Sequence, residues 1–269
     1  MTERRGCRGP RRISYRGRQR RRRSGWCRRH GGDSSSHLLG HSDPNVDYPV
    51  YSDFTLTLVE EFNEPLDLVN DAIWTYSDGG PPEGIVRYTK DAISFADGML
   101  KITVSEEFTE STYSYAENDT PLDKPLVSGE LRTKFNNFRY GRYEARLRAP
   151  YPNTGLDDGN FINSLFTFRT PKGQEWQEID VELHGASTRS LWTNVMYAKN
   201  TTSWSSTMQE ANLQTLPVDF DSRGEFHVYA FEWTPEEIRW YVDGAPVRTK
   251  VDKQGPNLLP IPDKSAKII

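Results

Sequence analysis

The stretch "WQEIDVELHG", residues 176–185, decides the fold, because acidic and aliphatic side chains alternate along it. Glu178, Asp180 and Glu182 occupy every second position, with an isoleucine, a valine and a leucine between and after them. Successive side chains of a β-strand point to opposite faces, so the acids would share one face and the aliphatics the other. By itself the alternation favours a half-buried strand with a solvated acidic face. The sharper interpretation is a carboxylate cluster whose pKa values are driven apart for acid–base chemistry.

From about Asp47 to the end, the sequence is typical of an all-β protein. Short runs rich in alternating, aromatic and β-branched residues, such as "FTLTLVEEF" and "INSLFTFRT", are separated by turn clusters such as "SDGGPPEG" and "PKGQ". The segment "WTPEEIRWYVDGAPV" predicts a hairpin with a second turn at Asp243-Gly244, a pair that commonly joins paired strands. Many short strands separated in this way predict a sandwich or barrel, which we assign to one domain, residues 47–269.

Residues 1–46 form a basic leader that contrasts with the acidic remainder. Thirteen arginines and one acid lie in residues 1–31, which leaves 21 basic and 37 acidic residues in the rest of the chain. The leader has no hydrophobic periodicity, so we expect it to be disordered. Its run "RGRQRRRR" could bind nucleic acid or act as a nuclear address, but a disordered tail, or translated sequence upstream of the true start, is favoured. Nucleic acid is therefore not an expected partner.

Composition also argues against several other classes of protein. No apolar run approaches the roughly 18 residues needed to cross a membrane, and no apolar stretch follows the basic residues as it would in a signal peptide. Both cysteines, Cys7 and Cys27, lie in the leader, so the domain has no thiol or disulfide. The five histidines lack metal-ligand spacing, so no metal site is expected.

Four segments of the domain carry a resemblance to a known family. "EWQEIDVELHG" resembles the active-site strand of glycoside hydrolase family 16, an E-x-D-x-E pattern with hydrophobic residues between the acids. "LVEEFNEPLDLVNDAIW" resembles its entry strand, "LVSGELRTKFNNFRYGRYEARLRAP" its paired strands upstream, and "FHVYAFEWTPEEIRWYVDG" its downstream hairpin. The resemblance covers about residues 54–269. It implies a β-jelly-roll sandwich of two curved antiparallel sheets with a substrate cleft on the concave side.

The resemblance also implies a retaining, endo-acting glycosidase that works through a covalent glycosyl-enzyme. By match to the motif, Glu178 would be the nucleophile, Glu182 the general acid/base, and Asp180 the assisting residue between them. Retaining hydrolysis needs two carboxyl groups roughly 5–5.5 Å apart. Cα atoms four residues apart on a flat strand are about 13 Å apart. Side chains that lean together on a concave sheet would shorten the distance between the two carboxyl groups.

Four further residues are candidates for substrate binding. Glu130 and Arg132 in "SGELRT" match residues of the family's cleft, although an exposed Glu–Arg pair explains them equally well. Trp176 matches a ring that stacks beside the cleavage point, and could equally cover the core. Asn194 matches an asparagine that contacts sugar in lichenase-type members. His184 departs from the family's usual ending of the strand and is left out of the mechanism, because a lone histidine is more often structural.

The single residue between Asp180 and Glu182 resembles the unbulged lichenase and xyloglucan-transglycosylase branch of the family. This branch favours a β-1,4 bond in mixed-linkage β-1,3-1,4-glucan or a xyloglucan-type polymer. The sequence ends at "IPDKSAKII", where the resemblance implies further strands, so we expect the C-terminal strands to be missing. The reaction requires no cofactor. A structural calcium ion, which some members hold, is left open with no residue assigned.

The leading hypothesis is an endo-β-glucanase with a polysaccharide substrate. One alternative is a transglycosylase that passes the same glycosyl-enzyme to a sugar hydroxyl. Another is a non-catalytic β-glucan-binding protein, against which the intact Glu178, Asp180 and Glu182 argue. We expect a monomer without membrane contact. Because polysaccharide substrates lie outside cells, we expect an extracellular or cell-wall location, although no signal peptide is visible.

Overall fold

The computed structural model describes residues 14–17, 39–80, 85–111, 122–150, 161–169, 175–198, 212–251 and 260–269. Nearly all regular structure in these ranges is β-strand, and the two 3₁₀ helices, Lys90–Ala92 and Gly185–Ser187, are a single turn each. The prediction of an all-β fold is confirmed. In the described part of the chain, no helix has the length and apolar character needed to cross a lipid bilayer.

Nineteen strands lie within the described residues. In chain order they are β1 Ser14–Gly17, β2 Leu39–His41, β3 Phe54–Glu60, β4 Trp74–Tyr76, β5 Val86–Tyr88, β6 Ile93–Ala96, β7 Met99–Ile102, β8 Ser105–Ser111, β9 Leu122–Ser128, β10 Leu131–Thr133, β11 Gly141–Leu147, β12 Ile162–Arg169, β13 Trp176–His184, β14 Ser190–Ala198, β15 Gln214–Pro217, β16 His227–Trp233, β17 Glu237–Val242, β18 Ala245–Val251 and β19 Lys267–Ile268.

Two larger sheets dominate the fold. One has seven strands in the order β18-β17-β16-β11-β1-β3-β2, and the other has five in the order β15-β14-β13-β12-β19. Pairing is antiparallel in both, with the exception of β2 on β3. In a smaller three-stranded sheet, β5 also runs parallel to β9. The expected antiparallel arrangement therefore holds for the two larger sheets apart from one edge strand.

The hydrophobic core includes apolar side chains from both larger sheets. Ile179, Val181 and Leu183 of β13 are at most 1% exposed, and they belong to the same cluster as aromatic residues of β16 and β17. Burial of each aliphatic side chain contributes about 1.5–3 kcal/mol. Trp240 of β17 donates its indole N–H to the main-chain oxygen of Asp180, 2.9 Å away. This bond ties the middle of β13 to the opposite sheet.

The predicted hairpin is present, and its second turn lies where the sequence placed it. β17 and β18 pair antiparallel on either side of Asp243 and Gly244. These two residues have φ angles of 47° and 80°. Positive φ at both central positions is the requirement of the two-residue turn that matches strand twist, and Asp-Gly meets that requirement with little strain.

Two short segments of the basic leader differ from the expectation of disorder. Ser14–Gly17 forms β1, between β3 and β11 and antiparallel to both, and Leu39–His41 forms β2 at the sheet edge. Main-chain groups make ladder bonds regardless of side-chain periodicity, so a sequence without an apolar pattern can still extend a sheet. Residues 1–13 and 18–38 lie outside the described residues.

Candidate active site

The three acids of the opening stretch lie on one face of the central strand of the five-stranded sheet. β13 pairs with β12 on one side and β14 on the other, so main-chain hydrogen bonds support it along its length. The aliphatic residues face the core, and Glu178, Asp180 and Glu182 therefore point to the opposite side, which we call the acidic face. The alternation that predicted this division is confirmed.

Neighbouring strands complete the acidic face with uncharged side chains. On β12, Phe168, Phe166 and Ser164 lie opposite Glu178, Asp180 and Glu182 in the strand register. On β14 the corresponding positions hold Met196, Asn194 and Trp192. Within the described ranges, no arginine or lysine forms an ion pair with any of the three acids. Among the described residues, the three acids are therefore clustered without an ion pair to arginine or lysine.

Glu178 and Asp180 form a buried, hydrogen-bonded pair of carboxyl groups. Their exposed fractions are 8% and 1%. Burial raises the pKa of Glu178, and it raises the pKa of Asp180 well above its usual range, an effect to which the charges of Glu178 and Glu182 add. Because the pKa of both adjacent carboxyls is raised, the pair keeps a proton at neutral pH. When Asp180 carries the proton and donates it to Glu178, Glu178 is the anion that can act as a nucleophile.

Trp176 provides Glu178 with a second donor. Its indole N–H donates to Oε2 of Glu178 over 2.6 Å. Like the hydrogen bond from Asp180, this contact opposes the rise in the pKa of Glu178 by favouring the charged form. The ring of Trp176 also packs edge-on against Phe168, with centroids 6.0 Å apart. The structure therefore places Trp176 on the acidic face and not in the core.

The main chain of Asp180 accepts a hydrogen bond from the core side, but one oxygen of its side chain has no hydrogen-bond partner among the described residues. The bond from Trp240 to its carbonyl fixes the backbone from the core side. The Oδ2 atom of Asp180 is buried, and no described residue hydrogen-bonds to it. Buried polar groups are nearly always paired in folded proteins, and strongly perturbed carboxyls without a partner concentrate at functional sites.

Glu182 is the most accessible of the three acids and has a different partner. Its side chain is 25% exposed, and Oε2 lies 2.7 Å from Nε2 of His184. The imidazole of His184 stacks on the indole of Trp192, with centroids 3.9 Å apart and an angle of 17° between the rings. The cluster thus combines a buried pair that shares a proton with a third, solvent-accessible carboxyl group.

The structure relates each of the predicted substrate-binding residues to this cluster in a different way. Asn194 lies directly across from Asp180 and is 7% exposed. Glu130 accepts a hydrogen bond from Ser77, and its charge contributes to the raised pKa of Glu178, which brings it into the electrostatic environment of the site. Arg132 is half-buried, and no described group hydrogen-bonds to its Nε. Glu130 and Arg132 therefore are not the exposed ion pair of the simpler interpretation.

Sequence reasoning missed two residues of the acidic face. Lys267 of β19 lies opposite Phe168, and its pKa is lowered by burial and by the charge of Arg132. Nothing local in the sequence predicts that the last strand joins β12. His184 continues the period of two set by the three acids, so the sequence pattern places it on the acidic face. Its contact with Glu182 is seen only in the structure.

No group of three or more histidine, cysteine, aspartate or glutamate side chains arranged to hold a metal ion occurs among the described residues. The acidic face therefore cannot be identified as a metal centre on the basis of its carboxylates. A structural calcium ion elsewhere in the molecule stays a prediction.

Comparison with known proteins agrees with the fold and the motif. The family model of glycosyl hydrolases family 16 matches residues 85–269, which include the whole acidic strand. A β-glucanase of Paenibacillus polymyxa is 33% identical over 187 residues, which cover 68% of this chain and 66% of that protein. The chain thus spans slightly less than two thirds of the length of this curated relative.

Solved structures share the same architecture. A prokaryotic β-1,3-1,4-glucanase (lichenase) from a mouse hindgut metagenome aligns with a TM-score of 0.55 and 24% identity, covering 78% of this chain and 82% of that one. The Bacillus licheniformis β-glucanase aligns with a TM-score of 0.55 and 23% identity, covering 77% and 80%. At these identities the likeness concerns the fold, a β-sandwich of the jelly-roll type. Together with the family match, it confirms the resemblance seen in the sequence: the chain belongs to glycosyl hydrolase family 16.

Proposed function

We propose that this protein is a retaining endo-β-glucanase that cleaves mixed-linkage β-1,3-1,4-glucan or a similar β-glucan. The observation that carries the proposal is the carboxyl cluster on β13, in which Glu178 and Asp180 are a buried, hydrogen-bonded pair with raised pKa values and Glu182, at the next position of the same face, is partly exposed. Family membership and the β-glucanase relative support the choice of substrate class.

In the first step, the ionised carboxylate of Glu178 attacks the anomeric carbon of the sugar. The bond between that carbon and the glycosidic oxygen breaks, and Glu182 gives its proton to the departing oxygen. Asp180 donates its hydrogen bond to Glu178 and keeps that carboxylate oriented. Because Trp176 donates to Oε2 of Glu178, rotation of the nucleophile is restricted further, which preorganises it for attack.

In the second step, the glycosyl-enzyme ester is hydrolysed. Glu182, now a carboxylate, takes a proton from water as the water oxygen bonds to the anomeric carbon, and Glu178 departs as a carboxylate. The site regains its starting protonation, with one proton on Glu182 and one shared by Glu178 and Asp180. If a sugar hydroxyl took the place of water, the same residues would catalyse transglycosylation.

Substrate contacts follow from the positions around the cluster. Aromatic rings can stack on pyranose faces, and Trp176 and Phe168 present such rings next to Glu178. Glu130, Arg132 and Asn194 can bind hydroxyl groups, and Arg132 has an unused buried N–H to offer. An extracellular or cell-wall location goes with this proposal, because polysaccharides of this class lie outside cells.

The direct test is hydrolysis of barley mixed-linkage β-glucan, laminarin and xyloglucan, with Glu178→Gln beside the parent. Glu236→Gln, a change of an exposed acid far along the chain, is the matched control. We expect activity on the mixed-linkage polymer that falls by about 10⁴-fold or more in Glu178→Gln and is unchanged in the control. Longer product chains would indicate transglycosylation instead of hydrolysis. Binding of the polymers without turnover by the folded parent would refute the enzyme and favour a recognition module.

A further inference from the structure

His184 makes two contacts that the proposed mechanism does not yet use. Its Nε2 lies 2.7 Å from Oε2 of Glu182, and its ring stacks on Trp192 at 3.9 Å. The side chain is 17% exposed, so most of it is covered. The contact engages one carboxylate oxygen of Glu182, and Oε1 has no such partner among the described residues. One oxygen is therefore held while the other is left to face a substrate.

The groups around His184 that can carry charge are few. β12 places Ile162 opposite His184 and Ser164 opposite Glu182, and β14 places Trp192 opposite Glu182; all three are uncharged. β15 places Thr215 opposite Trp192. In the described part of the chain, the titratable groups on this face near His184 are thus the three acids of its own strand, with Glu182 in contact and the Glu178–Asp180 pair beyond it.

A second histidine, His227, makes almost the same kinds of contact but lies in the seven-stranded sheet. His227 lies 2.7 Å from Oδ2 of Asp243 through Nδ1, its ring stacks on Phe220 at 3.5 Å, and its side chain is 16% exposed. This pair joins the start of β16 to the turn between β17 and β18, in the seven-stranded sheet. His227 shows what such a pair does when its role is structural, and it provides an internal control.

We propose that His184 is a positioning residue for the acid/base Glu182, holding one of its oxygens by a hydrogen bond. The inference rests on the proposed function of Glu182. With its proton on Nε2, His184 donates to Oε2 and leaves Oε1 to carry the proton that goes to the glycosidic oxygen. As that proton leaves, charge develops on the carboxylate and the N–H···O bond becomes charge-assisted, so it strengthens in the transition state.

Substitutions of His184 can separate its hydrogen bond to Glu182 from the bulk of the side chain. Glutamine can donate to Oε2 in place of the imidazole. Leucine fills space but cannot donate. A loss of activity in the leucine variant that the glutamine variant recovers would therefore come from the hydrogen bond.

The experiment measures kcat/KM for the parent, His184→Gln, His184→Leu and His227→Gln. Two substrates are used, barley β-glucan and a β-glucan oligosaccharide with a dinitrophenyl leaving group, which departs without needing a proton. We expect His184→Leu to lose about 10- to 100-fold on the polymer, as loss of a hydrogen bond to a charged group does, and much less on the activated substrate. We expect His184→Gln to recover most of the loss, because its amide N–H can donate to Oε2.

Three results would overturn the proposal. His184→Leu could lose activity equally on both substrates, His184→Gln could fail to recover the activity that His184→Leu loses, or His227→Gln could lose as much on the polymer as His184→Leu. Melting temperatures verify folding, and if the leucine variant does not fold, His184→Phe, which can keep the stack on Trp192 without a donor, takes its place. A folded parent that hydrolyses neither substrate would refute the proposed function and this inference with it. A parent that is active, but in which any of the three results is found, refutes the role of His184 alone.

Discussion

The two larger sheets each bury a row of charged side chains on a strand, and the two rows are built differently. On β11, Arg142 is 2% exposed and lies between Glu144, 2.8 Å away, and Glu232, 3.1 Å away. The rings of Tyr51 and Tyr241 cover its guanidinium group at 4.3 and 4.6 Å. On β13, Glu178, Asp180 and Glu182 form a row of one sign, with a hydrogen-bonded histidine at the end.

The two rows differ in whether each buried charge has a partner of opposite sign. In the arginine network every buried charge has a partner of opposite sign, an arrangement that stabilises the fold in the sense that removal of one partner is costly. In the carboxyl cluster, no described arginine or lysine pairs with the acids, and hydrogen bonds from Trp176 and Asp180 stabilise the charged form of Glu178. Burial of acids without paired cations opposes folding, and strongly perturbed carboxyls concentrate at functional sites. Under the proposed function, a partner of opposite sign, and not burial, separates the structural row of charges from the catalytic one.

The largest effect on stability is expected from the arginine network. Arg142→Met leaves Glu144 and Glu232 without their shared cation, so the free energy of unfolding should fall by about 3–5 kcal/mol. Activity per folded molecule should not change. Urea denaturation measures the loss, with Arg146→Met, an exposed residue of the same strand, as the control. A loss within about 1 kcal/mol, equal to that of the control, would show that the network is not structural.

The next largest effect is an expected loss of catalytic activity in Asp180→Asn. Asp180→Asn keeps a donor beside Glu178 but cannot release or take up a proton, so kcat/KM on β-glucan should fall by about 10²–10³-fold. The melting temperature should not fall with it, because the substitution removes a buried acid that has an orphan oxygen. Steady-state kinetics at several pH values tests this, with the exposed Asp219→Asn as the control. Full activity in Asp180→Asn would remove Asp180 from the mechanism.

A smaller effect, a gain in stability in contrast to the loss in Arg142→Met, is expected for Glu178→Gln. The folded-state pKa values of both carboxyls of the Glu178–Asp180 pair are raised above their ordinary values, so the folded pair keeps a proton at pH values where the unfolded chain has released it. Native stability that depends on this proton is present below pH 4.5 and is lost as pH rises through the folded pKa. Glutamine does not titrate. Glu178→Gln should therefore be more stable than the parent by about 1–3 kcal/mol near pH 8, with a gap that closes toward pH 4.5.

Thermal unfolding across this pH range measures the gap, and Glu144→Gln supplies the contrast. In the arginine network the same chemical change removes a paired charge, so that variant should be less stable than the parent at neutral pH. Two variants that both lose stability, or a gap in Glu178→Gln that does not depend on pH, would contradict the distinction between the two rows.

The smallest effect is expected from Trp176→Phe. The ring remains available for stacking, but the N–H that donates to Glu178 is lost. Loss of one hydrogen bond to a charged group should lower kcat/KM by about tenfold. KM should change little, since the stacking surface is kept. A large rise in KM with an unchanged kcat would mean that Trp176 acts in substrate binding and not on the nucleophile.

Much of the site could be predicted from the sequence because its decisive pattern is local. The period of two on β13 separates Glu178, Asp180 and Glu182 from the core residues, and the Asp243-Gly244 turn has the φ angles that its residue types allow. Neither prediction needs knowledge of a distant partner.

The remainder depends on pairing between segments far apart in the chain, which the alternation does not specify. The period of two tells which face a residue occupies, but not which strand lies beside it. Lys267 reaches the acidic face only because β19 pairs with β12, and Ser14–Gly17 becomes a strand only because β3 and β11 lie on either side of it. His184 was passed over for another reason: its importance comes from a contact two residues away that the type of residue alone does not reveal.

A nucleophilic Glu178 would form a covalent bond to a sugar whose release is slow. To trap that bond, the protein is incubated with a fluorinated β-glucosyl oligosaccharide that carries a dinitrophenyl leaving group, then digested, and the labelled peptide is found by mass spectrometry. We expect one sugar per protein molecule, attached to Glu178 in the peptide that contains β13, and no label on Glu178→Gln. A label on another residue, or hydrolysis of β-glucan with inverted anomeric configuration and no label, would contradict the assignment of Glu178 as the nucleophile.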